Sequence, residues 1–313
     1  MEDLELGRKV MRIFLTGASG FIGRHVLGEL GKRHEVIALT NHTWDTSALS
    51  NVFFVRGDLL RGGEAERLIE QYPAQILIHL AWHVPPGTFW NDPLNIDWMT
   101  ASLELARAFV RQGGKRMVLA GSCAEYDWSG LMPLQEETSP VKPKSLYGVC
   151  KNSLRQAVAA YAASADVSCL WCRIFWPYGV GEAPEKFLSS IIRSLHRGER
   201  AVCRGANLRR DYIHVTDVAR AVALAAESSL TGILNIGRGE AVTLGELAGI
   251  AANAMGRSDL LKLGCAEISE ANPEIVVASV RRLTNELGWR PQVSLLEGIR
   301  DMTEIMDSLG EEK

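Results

Sequence analysis

The first 180 residues alternate between short apolar segments and segments with helical spacing. Residues 10–17, "VMRIFLTG", are apolar and β-branched, and residues 21–31, "FIGRHVLGELG", have the spacing of a helix that ends on a glycine. Further strands are expected at 35–39, 52–59, 74–81 and 116–122, and a helix at 95–114. Such alternation predicts right-handed βαβ units and a parallel sheet covered on both faces. The predicted fold class is therefore α/β, a doubly wound parallel sheet with ligands at the carboxyl ends of its strands.

Beyond residue 176 the alternation becomes less regular. Helices are expected at 185–198, 243–256 and 294–310, a short strand leading into a helix at 209–229, and a strand at 232–237. We interpret this part as a smaller mixed α/β C-terminal lobe, interleaved with returns to the main sheet. The predicted organisation is a Rossmann domain at 1–178 with returns at about 211–237, and a substrate lobe at 179–210 and 238–313.

Composition narrows the classes of partner. The chain has 313 residues, of which 47% are hydrophobic and 23% charged, and a net charge of −3. Without a basic excess we expect no binding to nucleic acid or to anionic lipid. No apolar run approaches the ~20 residues of a membrane span, and the acidic start does not resemble a secretory signal, so a cytoplasmic protein is expected. Cys169 and Cys172 have C-x-x-C spacing, but on a strand they point to opposite faces, so we expect structural thiols and no metal.

A glycine-rich turn lies where the first strand meets the first helix. Residues 16–23 read "TGASGFIG", with Gly17, Gly20 and Gly23 in the spacing G-x-x-G-x-x-G. Glycines allow the sharp turn, the approach of a pyrophosphate to the helix N-terminus, and close helix–strand packing. The turn predicts a dinucleotide site with contacts from residues Gly17, Ser19, Gly20, Phe21, Ile22 and Gly23.

The end of the second strand bears on which dinucleotide binds. It reads Thr40-Asn41-His42, with no acid before Asp45, whereas an NAD site usually has a carboxylate there for the ribose 2′-OH. The missing carboxylate favours NADP(H), with NAD(H) possible, and His42 or Arg24 could supply positive charge to a 2′-phosphate. Asp58, after the third strand, is placed either to bind an adenine amino group or to cap a helix; the sequence leaves both open.

Tyr147 and Lys151 lie four residues apart in "SLYGVCK". This spacing places both side chains on one stripe of a helix. A four-residue spacing is by itself a weak indication of a catalytic pair. The rest of the sequence decides its interpretation.

Together these motifs resemble the extended short-chain dehydrogenase/reductase family of nucleotide-sugar epimerases, dehydratases and ketoreductases. The resemblance spans about residues 11–305 and includes, in order, "TGASGFIG", "GDL", "HLA", Asn95, "GSCAEYD", "YGVCK", "RIFWPYG", "RRDYIHVTDVARA", "LNIG" and "ELGW". It implies a homodimer that binds a nicotinamide dinucleotide and a nucleoside-diphosphate sugar.

The resemblance also implies roles for individual residues. Tyr147 and Lys151 match the catalytic tyrosine and lysine, and Ser122 matches the third catalytic position. Lys151, together with the positive nicotinamide ring of the oxidised cofactor, would lower the pKa of the Tyr147 phenol, ordinarily about 10, and Lys151 would also hold the nicotinamide ribose. Arg210 matches the arginine that binds the substrate diphosphate, although Arg209 could replace it. The remaining expected contacts are Asp58, Leu59, Leu80 and Ala81 to the cofactor, and Trp82, Cys123 and Trp176 to the substrate.

Departures from the family pattern narrow the set of reactions that are expected of this chain. Cys123-Ala124 stand where dehydratases have Asp-Glu, and Glu125 falls one position late, which disfavours dehydration. The pattern of 3,5-epimerases, a Cys two places after the serine and a later His, is also missing. Reduction of a 4-keto-(6-deoxy)sugar at C4 is the expected reaction, with a 4-epimerase as the alternative and a non-catalytic cofactor-binding regulator as a third. Trp176 stands where UDP-sugar 4-epimerases usually have Asn. The aromatic-rich loop 82–94 could line the sugar pocket or a dimer interface.

Overall fold

The computed structural model describes residues 10–41, 50–270 and 272–310. His42, an expected cofactor contact, lies outside these ranges. The α-helices are α1 (Phe21–Leu30), α2 (Glu64–Gln71), α3 (Leu94–Arg111), α4 (Leu146–Ser164), α5 (Phe187–His196), α6 (Val215–Glu227), α7 (Leu244–Ala254), α8 (Arg281–Asn285) and α9 (Leu295–Gly310). The strands are β1 (Arg12–Thr16), β2 (Glu35–Thr40), β3 (Val52–Arg56), β4 (Ile76–His79), β5 (Arg116–Ser122), β6 (Ser168–Ile174), β7 (Trp176–Tyr178), β8 (Ala201–Cys203), β9 (Arg209–Arg210), β10 (Tyr212–His214), β11 (Gly232–Ile236), β12 (Val242–Thr243), β13 (Leu261–Leu263) and β14 (Ile275–Val276).

A seven-stranded sheet forms the centre of the molecule. Its order is β11-β6-β5-β4-β1-β2-β3, and every neighbouring pair is parallel. The chain runs outward from β1 to β3, then returns across β1 to β4 and continues to the other edge. The direction of winding therefore reverses between β1 and β4, which is where ligands bind in open parallel sheets. The predicted doubly wound α/β fold is confirmed.

Each face of the sheet packs against its own layer of helices. One core contains apolar side chains of α1 and α6, and the other contains side chains of α2, α3 and α4. Strand β6 contributes side chains to both cores. Cys172 lies in the first core and Trp171 in the second, where Cys169 also packs. The two thiols of the C-x-x-C segment thus face opposite sides of the sheet, as the two-residue period of a strand predicts.

Two elements end earlier than the sequence suggests. The strand expected at 52–59 ends at Arg56, because the Asp58 carboxylate accepts the backbone N–H of Leu60 at 3.1 Å and forms a turn. The helix expected at 95–114 ends at Arg111, and Gly113 follows with φ of +77°. In both cases a turn ends the element, although the apolar pattern in the sequence continues beyond it.

The C-terminal third forms a third apolar core and returns one strand to the main sheet. Helices α5, α7 and α9 pack with β8 around side chains such as Ile192, Leu247 and Ile299. Strand β11 joins the main sheet beside β6. The Asp217 carboxylate of α6 accepts the backbone N–H groups of Gln292 and Val293, which fixes the approach to α9. The boundaries of the two predicted domains stay a prediction.

Among the helices of the described ranges, none is both long and apolar enough to cross a bilayer.

Candidate active site

The turn between β1 and α1 requires glycine at two positions. Gly17 has φ of +70°, and a Cβ on it would lie 2.7 Å from the backbone nitrogen of Ala81. A Cβ on Gly23 would lie 1.9 Å from the Gly17 carbonyl oxygen. Contacts this short cannot be accommodated, so the backbone passes where no side chain fits. The turn leaves the N-terminus of α1 open toward a cleft.

This cleft has the size and lining of a dinucleotide site. It encloses about 780 Å³ beside β1, β2, β3 and β4. Of the residues expected at the cofactor, those that line it are Gly17, Ser19, Gly20, Thr40, Asn41, Asp58, Leu59 and Ala81. Phe21, Ile22, Gly23 and Leu80 lie directly beside them in α1 and after β4, but outside the lining. Arg56 and Arg61, which sequence reasoning did not select, also line it. The residues present fit a bound nicotinamide dinucleotide.

A buried hydrogen-bond chain supports the floor of this cleft. The Ser102 hydroxyl donates to the Trp98 carbonyl at 2.6 Å and accepts from His79 Nε2 at 2.8 Å. The Thr16 hydroxyl then donates to His79 Nδ1 at 2.7 Å and accepts the Ala81 N–H at 3.3 Å. Burial lowers the pKa of His79 to about 3, so the ring is neutral, as this pattern of donors requires. The chain joins the ends of β1 and β4 to α3.

Ser122 and the Tyr147–Lys151 pair meet at the carboxyl end of β5. Ser122 is the last residue of β5, and Tyr147 and Lys151 lie in the first two turns of α4. Ser145 starts that helix by accepting the Gly148 N–H at 3.2 Å. The Lys151 ammonium is buried and donates to the Ala120 carbonyl at 2.9 Å. The three residues that the resemblance selected as catalytic therefore lie together.

Burial shifts the pKa values of the pair. Burial raises the pKa of the Tyr147 phenol, and a hydrogen bond with Ser122 only partly offsets this. Burial also lowers the pKa of Lys151 to about 7, against a smaller opposing effect of the Glu125 carboxylate. Burial is thus the largest influence on both pKa values, and the lowering of the Tyr147 pKa expected from Lys151 together with an oxidised nicotinamide stays a prediction.

Glu125 holds the end of β5 rather than facing a substrate. Its side chain is fully buried and accepts from the Ser122 N–H, Trp171 Nε1 and Arg173 Nε, each at 2.8 Å. Both carboxylate oxygens are thus occupied by structural partners. This arrangement explains why the acid one position late in the motif is no substitute for a dehydratase carboxylate.

Aromatic rings surround Tyr147. The ring centres of Phe89, Trp90 and Trp82 lie 5.0, 6.0 and 6.3 Å from that of Tyr147, all edge to face. Trp128 continues this wall at 6.4 Å from Trp90, and Trp176 lies 5.7 Å from Trp128. Of the two interpretations left open for loop 82–94, the structure places its aromatic rings at the Tyr147 ring.

A cation that the sequence analysis did not select lies beside these rings. Lys186, at the start of α5, has its ammonium 5.4 Å from the centre of the Phe89 ring. The aromatic-rich composition of loop 82–94 was a signal for Phe89 and Trp90. No local signal marks Trp128 or Lys186, because they reach the site from distant segments.

Arg210, Cys123 and Trp176 lie beyond the aromatic wall. Arg210 is buried; it donates to the carbonyls of Pro273 and Glu274 and to Asn272 Oδ1 at 3.0, 3.3 and 2.7 Å. Its guanidinium carbon lies 5.6 Å from the Trp176 ring centre. Cys123 is buried, and burial raises the pKa of its thiol, so it is a neutral apolar wall next to Ser122. The structure thus places Arg210 and Trp176 together, and Arg209 is exposed.

Comparison with known proteins places this site in a class. The family model described as "NAD dependent epimerase/dehydratase family" matches residues 13–237. The chain belongs to this family of nicotinamide-dependent nucleotide-sugar enzymes.

Individual relatives differ in their reactions. A dTDP-6-deoxy-L-talose 4-dehydrogenase (NAD(+)) of Aggregatibacter actinomycetemcomitans is 27% identical over 75% of this chain and 87% of its own length. The structure of MoeE5 in complex with UDP-glucose and NAD is 31% identical, with a TM-score of 0.81 over 95% of this chain and 99% of that one. The UDP-glucose 4-epimerase of Thermus thermophilus in complex with NAD is 28% identical, with a TM-score of 0.82 over 94% and 98%. A nucleotide-sugar 4-dehydrogenase and a UDP-glucose 4-epimerase are therefore both similar to this chain.

Proposed function

We propose that the protein catalyses hydride transfer at C4 of a nucleoside-diphosphate sugar, and that its reaction is the reduction of a 4-keto-(6-deoxy)sugar. The observation that carries this proposal is the meeting of Ser122, Tyr147 and Lys151 at the sheet edge beside the dinucleotide cleft. A bound nicotinamide supplies or accepts the hydride. The chain must then manage the proton on the C4 oxygen.

Tyr147 is the group that gives this proton. Burial keeps its phenol protonated at neutral pH, so before reaction it is an acid and can donate to the C4 oxygen as the hydride arrives. The Lys151 ammonium, held by the Ala120 carbonyl, stabilises the phenolate that remains. The Ser122 hydroxyl donates a hydrogen bond to the same oxygen and stabilises its developing charge.

The aromatic wall supports reduction over epimerisation. An epimerase must present both faces of a transient ketone to the same hydride donor, so the ketone has to turn over within the site. Phe89, Trp90 and Trp82 pack within 6.3 Å of the Tyr147 ring, centre to centre, and we propose that this wall restricts such a rotation. The dTDP-6-deoxy-L-talose 4-dehydrogenase relative is named for hydride transfer at the same carbon of a 6-deoxysugar, in the reverse, oxidising direction.

A 4-epimerase is the second candidate. It is supported by the UDP-glucose 4-epimerase structure, which matches 94% of this chain with NAD bound. The two functions differ in one measurable quantity, because reduction consumes reduced cofactor and epimerisation does not.

For the cofactor we propose NAD(H). The family is NAD dependent, and the MoeE5 and Thermus thermophilus structures contain NAD, so the comparisons give no support to the NADP(H) preference expected from Thr40 and Asn41. Those residues carry no charge that would repel a 2′-phosphate, and Arg56 and Arg61 line the same cleft, so NADPH should bind as well. We therefore expect NADH to bind at least as tightly as NADPH, with dissociation constants within about tenfold of each other. Fluorescence titration with both cofactors tests this, and tighter binding of NADPH than of NADH would contradict it.

Arg210 is proposed to bind the substrate diphosphate. A guanidinium suits phosphate oxygens because its planar N–H groups pair with two of them at once. The Trp176 ring beside it would border the sugar or the nucleotide.

The deciding experiment measures absorbance at 340 nm and product identity together. Purified protein is incubated with NADH or NADPH and a panel of nucleoside-diphosphate 4-keto-6-deoxysugars, and separately with UDP-glucose and NAD. Consumption of one reduced cofactor per sugar supports the reductase. Interconversion of 4-epimers without net cofactor consumption supports the epimerase, and inactivity with both sets contradicts the proposed function.

A further inference from the structure

Lys151 is buried without a carboxylate partner. Its ammonium has two contacts in the described part of the chain, the Ala120 carbonyl at 2.9 Å and the face of the Trp82 indole, 3.8 Å from Nζ to the ring centre. Glu125, the carboxylate that acts on it electrostatically, is already bound by Ser122, Trp171 and Arg173. An ammonium removed from water in this way needs some other source of negative potential.

The indole face supplies that potential. The π face of tryptophan is the most favourable ring for a cation, and its effect grows when the pair is desolvated. Trp82 also lines the dinucleotide cleft and stands edge-on to the Tyr147 ring, at an interplanar angle of 79°. One side chain therefore touches the lysine, the tyrosine and the cleft.

The orientation of Trp82 is fixed from behind. Its Nε1 donates to Asn95 Oδ1 at 2.8 Å. The Asn95 amide in turn donates to the carbonyls of Phe89 and Asp92 at 2.7 and 2.8 Å. Asn95 is buried, and these three bonds use its oxygen and both N–H groups. The ring cannot turn its face away from Lys151 without breaking this set.

We propose that Trp82 is a positioning residue that keeps the Lys151 ammonium charged and directed at Tyr147 through its indole face. The inference rests on the proposed roles of Tyr147 and Lys151. Burial lowers the pKa of Lys151 to about 7, so a further fall on loss of the indole face would leave a smaller fraction of the amine charged at neutral pH. Without its charge, the lysine could stabilise neither the Tyr147 phenolate nor a bound ribose.

The test compares Trp82→Leu with Trp82→Phe. Both variants remove the N–H to Asn95 and leave an apolar side chain, but only Phe retains an aromatic face. In Trp82→Leu we expect the pH at which kcat/KM falls on the alkaline side to decrease by about one unit, which is a tenfold change in proton concentration. In Trp82→Phe the same midpoint should decrease by less than half a unit. The sign follows because a lysine with a lower pKa loses its proton at lower pH.

A second readout does not require turnover. The dissociation constant for NADH is measured by fluorescence between pH 6 and 9, where Trp82→Leu should weaken binding earlier than the wild type as pH rises. Circular dichroism confirms that each variant is folded, and Trp82→Met replaces Leu if that variant is not.

Three results would be decisive. Superimposable pH profiles of the Leu and Phe variants would overturn the proposal. So would tighter NADH binding by Trp82→Leu, since that would mean that the indole occupies space the cofactor needs. Full activity of Lys151→Met would instead contradict the proposed function itself, which separates the two failures.

Discussion

At the scale of single residues, burial governs the chemistry of the site more than charge pairing does. Tyr147, Lys151 and Glu125 are all buried, but within residues 10–41, 50–270 and 272–310 only Glu125 has an ionic partner, Arg173. The Tyr147 phenol is therefore a stronger base once ionised and a weaker acid before, which suits a group that must hold its proton until the C4 oxygen becomes basic. Desolvation sets the starting protonation state of the reaction.

The first prediction concerns Tyr147→Phe. Removal of one hydroxyl leaves the ring and its contacts with Phe89 and Trp90, so the folded structure should be retained. Loss of general acid catalysis should lower kcat by roughly 10²–10⁴. Rapid-mixing assays at saturating substrate measure this loss, while fluorescence titration should show nearly unchanged NADH binding. A near wild-type rate in the folded variant would mean that Tyr147 is not the proton donor and that Tyr147 and Lys151 only share one face of α4.

The second prediction concerns Arg210→Ala. Loss of a charge-assisted phosphate contact should weaken nucleoside-diphosphate binding by roughly 10- to 100-fold, about 1.5–3 kcal/mol, and raise KM more than it lowers kcat. Calorimetry with the nucleoside diphosphate alone measures the affinity. Because Arg210 also holds the segment 272–274, Asn272→Ala is the matched control: it removes one partner and keeps the guanidinium. Equal losses in both variants would argue against a phosphate contact.

At the scale of elements, the segment before α5 contains a half-buried acid. Glu182 precedes the helix and accepts a hydrogen bond from the Ser189 hydroxyl at 2.8 Å. Burial raises the pKa of Glu182 to about 7 from its ordinary 4.5. The folded protein therefore keeps a proton that the unfolded chain releases, so the stability from the neutral carboxyl is complete below pH 4.5 and is lost as pH rises through 7.

The third prediction follows from this linkage. Between pH 4.5 and 8 the wild type should lose about 2 kcal/mol of unfolding free energy relative to Glu182→Gln, whose side chain does not titrate. Urea unfolding of both proteins at pH 4.5, 6 and 8 gives the difference. Glu185→Gln, an exposed position in the same loop, should follow the wild type. Parallel curves for wild type and Glu182→Gln would show that the carboxylate is ionised throughout.

The elements that the sequence predicts well are those whose cause is local. Strand β6 and the turn of Gly17 follow from residue period and backbone sterics, and both were predicted. The contacts of Lys151 and Arg210 were not predicted, because the residues that they bind are far away in the sequence. Arg210 binds carbonyls more than sixty residues further along the chain, and no pattern near either residue encodes that pairing.

At the scale of the whole molecule, the adjacent helices α3 and α4 each leave an apolar side chain in solvent. Ile96 on α3 and Val149 on α4 are 48% and 44% exposed, although α3 and α4 pack against each other. Single exposed apolar residues are ordinary, but a pair on adjacent helices suits contact with a second copy. The predicted homodimer stays a prediction, and these positions are where we would test it.

The fourth prediction is a particle of about twice 34.4 kDa in light scattering. The double variant Ile96→Glu/Val149→Glu should lower the mass to that of one chain, because a dimer interface tolerates no unpaired buried charge. Phe53→Glu, which alters an exposed apolar residue on the edge strand β3, should leave the mass unchanged. A wild-type mass of 34.4 kDa at all concentrations would contradict the homodimer.

The aromatic wall and the proton-handling groups are built on separate parts of the chain. Ser122 is the last residue of β5, and Lys151 binds the Ala120 carbonyl of the same strand, whereas Phe89 and Trp90 belong to a short 3-10 helix, Phe89–Asn91. This makes the segment between β4 and α3 a natural target for engineering. Libraries that vary residues 84–91, with Trp82 and Asn95 retained, would change which sugars are accepted and leave the hydride-transfer chemistry in place.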